Sequence, residues 1–151
     1  MESLTKAIIG KTEVTKKITY NWINIKTIEL PQEYGIIFLT DLFFEDIVEL
    51  YEEKYKTEYK ELIYFTTPFI QFLQYYSFHT QLVYLETEYE GYGRQAGVLF
   101  ENGKTTAGPL TGDGTINQLL HAIGVWKERG KDESGILDLL RHIYRSRRRS
   151  L

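Results

Sequence analysis

YLETEYEGYGRQAGVLFENGKTTAGPL, residues 84–110, is the stretch on which the fold assignment turns. Gln81 to Glu90 alternates in polarity, which predicts a strand with Tyr84, Glu86, Glu88 and Glu90 on one face and Val83, Leu85, Thr87 and Tyr89 on the other. Gly91-Tyr92-Gly93 breaks it, and Gln95 to Glu101 predicts its antiparallel neighbour. Asn102-Gly103 fits a two-residue turn of type I′, where both central residues need positive φ. A third strand over Lys104 to Ala107 is then halted by Gly108-Pro109. Three strands joined by short turns are a meander, and a meander needs something laid over its apolar face.

The flanking segments supply it. Upstream, Thr40-Asp41 caps a helix over DLFFEDIVELYEEKY, with Phe43, Ile47, Leu50 and Tyr51 on one face. Thr67-Pro68 starts another helix reaching about Phe78. Downstream, Thr115 with Gln118 reads as a capping box for INQLLHAI, closed by Gly124. Ile136, Leu139, Leu140 and Ile143 predict a last helix, followed by a frayed basic tail over 145–151. Nearer the N-terminus, KKITYNWINIKTIEL (16–30) is rich in β-branched and aromatic residues and reads as extended structure with a bulge where the apolar phase slips. Ile36 to Leu39 fits a short buried strand. The order β-β-α-α-β-β-β-α-α lacks regular βαβ alternation. It predicts an α+β fold, an antiparallel β-meander packed against several helices, as a single domain over residues 1–151.

Composition bounds the function. The chain has 151 residues, 42% hydrophobic and 26% charged, and is rich in aromatics, with twelve Tyr, eight Phe and two Trp. Tyrosine, apolar in the ring and polar at the hydroxyl, is enriched where proteins meet partners. There is no cysteine, which removes disulfides, thiolate zinc sites and cysteine nucleophiles. The apolar patch Ala7 to Ile9 is too short for the core of a signal peptide, and no run approaches the roughly 20 residues that span a bilayer, so a cytosolic protein is expected. Residues 1–100 carry fifteen acids against nine bases, and an acidic body argues against nucleic-acid binding.

Two sets of carboxylates stand out. Asp41, Glu45, Asp46, Glu49, Glu52 and Glu53 are six acids in thirteen residues with no base between them. Like charges four apart destabilise a helix slightly, so a basic partner would relieve that density and be steered by it. Glu86, Glu88 and Glu90, beside Tyr92 in the glycine break, are expected to face water or a partner. A hard cation or an acid–base pair is the alternative use of such spacing. His79, His121 and His142 are widely spread and form no zinc-helix motif, and the glycine-rich GPLTGDGT lacks the lysine of a phosphate loop.

From Tyr84-Leu85-Glu86-Thr87-Glu88-Tyr89 through Gly91, Gly93, Gln95, Ala96 and Val98, then Asn102-Gly103, Gly108-Pro109, Ile116-Asn117, Leu120 and Gly124-Val125, the chain resembles a small bacterial family. It is that of immunity proteins encoded beside secreted polymorphic or contact-dependent toxins. The resemblance covers about residues 80–125. It implies a non-enzymatic inhibitor without cofactor or metal, whose partner is a cognate protein toxin. Many such toxins are nucleases with basic grooves, which an acidic, tyrosine-rich surface complements. The sites expected to meet the partner are the acids of 41–53 and the 86–93 segment. A small metal-dependent or acid–base enzyme using Glu86, Glu88 and Glu90 stays open, as does a subunit that forms a homodimer through exposed tyrosines.

Overall fold

Ala7, Ile8 and Ile9 belong to a strand, β1 (Leu4–Lys11), near the centre of the sheet, and all three are buried. A strand covered on both faces reads as a continuous apolar run, not as an alternation. The computed structural model describes residues 4–51, 62–88 and 94–125. After β1 come α1 (Thr12–Asn21), β2 (Thr27–Leu30), a short 3-10 turn (Pro31–Glu33), β3 (Tyr34–Phe38), α2 (Asp41–Tyr51) and α3 (Thr67–Tyr76). β4 (Gln81–Glu88), β5 (Gln95–Glu101), β6 (Lys104–Thr111) and α4 (Thr115–Ala122) follow.

The strands form one six-stranded sheet in the order β2-β3-β1-β4-β5-β6, every neighbouring pair antiparallel. One face carries Ile8, Ile37, Leu82, Tyr84, Val98 and Phe100 against Ile18 of α1, Phe43 and Ile47 of α2, and Phe69 and Phe72 of α3. The other carries Ala7, Ile9, Ile36, Val83, Leu85 and Leu99 against Ile116, Leu119 and Leu120 of α4. The protein is thus a single α+β domain, a sheet with helices on both faces and a core on each side. Among the described residues, no helix is long and apolar enough to cross a membrane.

The meander is as expected: β4 and β5 pair in register from Gln81↔Glu101 to Thr87↔Gln95, and Asn102 and Gly103 both have positive φ. α2 starts at Asp41, with Thr40 Oγ1 accepting from the Phe43 N–H at 3.2 Å. Three expectations change. Residues 12–21 are helical, because Val14, Ile18 and Trp22, four apart, pack against the core, and that stripe outweighs the β propensity of the same residues. β6 runs through Gly108 and Pro109 to Thr111, at the sheet edge where a missing N–H is tolerated. α4 is entered from Gly114 in a left-handed conformation, with Thr115 buried and no side-chain cap, so the capping box is not made. The helix expected over 136–143 and the tail at 145–151 lie outside the described residues.

Candidate functional site

On α2 the acids divide. Asp41 accepts from Lys6 Nζ at 2.9 Å and from the Tyr64 hydroxyl at 3.3 Å. The Lys6 hydrogen bond, reinforced by its charge, holds the Asp41 carboxyl below its ordinary value of 3.8. Asp46 accepts from Asn24 Nδ2 at 2.8 Å. Glu45 and Glu49 are exposed and enter no ion pair among the described residues, so they are the α2 acids left for an outside partner. Glu52 and Glu53 lie outside the described residues.

On β4 the water-facing reading of Glu86 is corrected. Its side chain is fully buried beside Tyr84, because that face of the central strand is covered by the segment leading into α3. Oε1 accepts from the Ile63 N–H at 2.7 Å and lies 3.7 Å from Arg94 Nη2. Oε2 accepts from the Tyr64 N–H at 2.9 Å and the Tyr84 hydroxyl at 2.7 Å. A carboxylate with both oxygens so engaged has exchanged its water for protein donors and serves to lock the 62–64 turn onto β4. Glu88, half-buried, takes Arg94 Nε at 3.3 Å, so one guanidinium spans the first two glutamates of the row. Glu90 and Tyr92 lie outside the described residues. Tyr64 links the two acid sets: its amide holds Glu86, its hydroxyl holds Asp41, and Lys6 Nζ sits 4.2 Å from its ring centroid. Among the described residues, no group of three or more His, Cys, Asp or Glu side chains is placed to hold a metal ion.

Among the described residues, the most exposed large apolar side chains lie elsewhere, at the C-terminal end of α1 and on its connection to β2. Tyr20 is 89% exposed and Ile23 91%. Their neighbours are tied down. Asn21 Nδ2 and Trp22 Nε1 both donate to the Tyr76 hydroxyl, at 3.1 and 3.2 Å, and Asn24 donates to Asp46. Trp22 packs edge-on against Phe43 and Phe72, at 5.5 and 5.4 Å between centroids, and Ile25 is buried. The segment therefore presents Tyr20 and Ile23 outward while Asn21, Trp22 and Asn24 are hydrogen-bonded to the body of the domain. Beside it, α1 and the C-terminal end of α3 enclose a groove of about 750 Å³ lined by Glu13, Val14, Lys17, Tyr75, Tyr76 and Phe78. Tyr75 and Phe78 on its lip are 67% and 62% exposed. Tyr20 extends the α1 side of the groove, one turn beyond Lys17.

Sequence reasoning missed this surface because 16–30 read as a strand. The signal that finds it is the helical stripe Val14, Ile18, Trp22: once those residues face in, Tyr20 and Ile23 face out. Comparison of the chain with protein-family models, with curated proteins and with solved structures gives no match.

Proposed function

We propose that this chain is a non-enzymatic binding protein that acts in the cytoplasm and neutralises a protein toxin by covering its active or substrate-binding surface. The observation that carries this reading is the pinned 20–24 segment. Folding gains nothing from leaving Ile23 and Tyr20 in water, while three side-chain hydrogen bonds, from Asn21, Trp22 and Asn24, tie down the residues beside them. Apolar and aromatic groups presented on a rigid backbone make economical interface anchors, since little conformational entropy remains to be lost on binding. The Asn24–Asp46 bond sets this segment against α2, so Glu45 and Glu49 lie on the element that borders it and suit a basic partner. The immunity-protein resemblance of residues 80–125 supports the same reading, with β4 to α4 as scaffold. The geometry of Glu86 and Glu88, each engaged by Arg94, favours this reading over one in which those carboxylates do chemistry.

The test is protection. The chain is co-produced in bacteria with the secreted protein encoded in the adjacent reading frame, and survival is scored with the native chain and with Tyr20→Asp/Ile23→Asp. Protection by the native chain and its loss in the folded double variant is the expected result. No protection by the native chain removes the function. Full protection by the variant removes the surface. Sedimentation of the native chain alone at several concentrations separates this from self-association, which the same side chains would drive.

A further inference from the structure

At the opposite end of β1 from its Leu4 terminus, four side chains form a row across the sheet. Lys11 pairs with Tyr34 on β3, Gln81 immediately precedes Leu82, the partner of Gly10, and Gln81 pairs with Glu101 on β5. By the period of two, Tyr34, Lys11, Gln81 and Glu101 share the face on which Ile9, Val83 and Leu99 meet α4. They emerge just past the end of α4 and floor a cleft of about 460 Å³, with Ile123 on one side and His79 and Asn102 on the other. Both walls are fixed. The Tyr34 hydroxyl donates to the Ile123 carbonyl. Asn102 Oδ1 accepts from the His79 N–H at 2.9 Å, and the Asn102 N–H donates to the carbonyls of Ser77 and Thr80. His79 itself has φ of 63°, a conformation that non-glycine residues seldom adopt and that often marks ligand sites.

The charges of the floor are separated. Lys11 Nζ stands 5.0 Å from the Tyr34 ring centroid at one end, and Glu101 lies two strands away at the other, a backbone separation of roughly 10 Å. Gln81 between them offers an amide that both donates and accepts. Among the described residues, Lys11, Gln81 and Glu101 form no side-chain hydrogen bond or ion pair. We propose that this cleft binds a short zwitterionic peptide or peptide-like molecule, with its anionic group on Lys11, a backbone amide on Gln81 and its ammonium on Glu101. Three extended residues span about 10 Å, matching the row. The cleft borders the groove between α1 and α3, with which it shares His79 and Thr80, but none of its lining residues belongs to 20–24 and it does not rest on the toxin-binding reading.

The probe is triglycine, titrated into the 15N-labelled full chain and followed by amide NMR shifts. The expected result is saturable shifts confined to the residues that floor and wall the cleft. Lys11→Met/Glu101→Gln should weaken binding by about tenfold or more, and N-acetyl-triglycine amide, which lacks both charges, should fail to bind. Both substituted side chains are exposed, and the variant's own spectrum reports its fold. Absence of saturable shifts, equal binding by the double variant, or equal binding of the blocked peptide would each overturn the proposal. Saturation by single glycine at the same concentration would overturn the three-residue length.

Discussion

Glu86→Gln keeps the size and shape of the side chain and changes only what its atoms offer. One carboxylate oxygen becomes an amide that opposes a donor, either a backbone N–H of the 62–64 turn or the Tyr84 hydroxyl, and Arg94 loses a counter-charge. A buried donor left facing a donor costs about 1–3 kcal/mol, and losing the neighbouring charge adds to it. Urea unfolding should therefore place Glu86→Gln about 2–4 kcal/mol below the native chain. Glu88→Gln, on the same strand with an accessible side chain, should lose less than about 1 kcal/mol. The Lys6–Asp41 pair tests a different property. Because the folded-state carboxyl is held below its ordinary value by the Lys6 hydrogen bond and charge, the pair contributes stability above about pH 3.8 and loses it as pH falls further, through the folded-state value. With Asp41 largely exposed, that contribution is about 0.2–1 kcal/mol. In Lys6→Met the Asp41 titration midpoint, followed by carboxyl NMR, should rise toward 3.8. An unchanged midpoint would show that the pair does not form in solution.

Helices lie on both faces of the sheet at distances set by glycines. A Cβ on Gly35 of β3 would stand 2.3 Å from Thr15 Oγ1 and 3.0 Å from Thr27 Cγ2, and a Cβ on Gly97 of β5 would stand 2.5 Å from Leu119 Cδ1. Gly35→Ala should therefore push α1 away from β3, and Gly97→Ala should push α4 away from β5, each costing about 1–3 kcal/mol. Combined with Leu119→Ala, Gly97→Ala should cost less than the sum of the two, because the second change removes the atom that clashes; additivity in that cycle would refute the contact. The same elements show what the amino-acid pattern disclosed. α2, β5 and the Asn102-Gly103 turn were legible because their signals are local: a threonine cap, an apolar run and two residues tolerant of positive φ. β1 and α1 were not. Ala7 to Ile9 shows no alternation because both its sides are covered, and Ile18, Tyr20 and Trp22 alternate like a strand while Val14, Ile18 and Trp22 also satisfy a helix. Only packing against the sheet decides between those periods. Glu86 was misplaced for a related reason. A polar residue opposite an apolar face ordinarily marks solvent, and what buried it was the turn at Ile63 and Tyr64, 23 and 22 residues upstream, whose backbone amides needed an acceptor.

Across the whole molecule, the acidic and apolar parts of the proposed interface are joined at Asn24 and Asp46 but act in separate phases of binding. Charge works at a distance. Residues 1–100 hold fifteen acids against nine bases, and Glu45 and Glu49 stand exposed on α2, so a basic partner is attracted before contact. Ile23 and Tyr20 act only after water has been expelled from them, and their loss is felt in how long the complex lasts. Glu45→Lys/Glu49→Lys should lower the association rate with a basic partner by roughly tenfold at low ionic strength while leaving dissociation nearly unchanged. That deficit should shrink as salt is raised to about 0.5 M, where screening is complete within a few ångströms. Ile23→Asp should instead speed dissociation by about tenfold or more, with a smaller effect on association. Stopped-flow mixing at several salt concentrations separates the two. A native association rate indifferent to salt would remove the steering role of α2 while leaving the apolar anchor standing. An Ile23→Asp complex as long-lived as the native one would remove the anchor, and with it the reason for a segment so firmly tied to hold bare hydrocarbon in water.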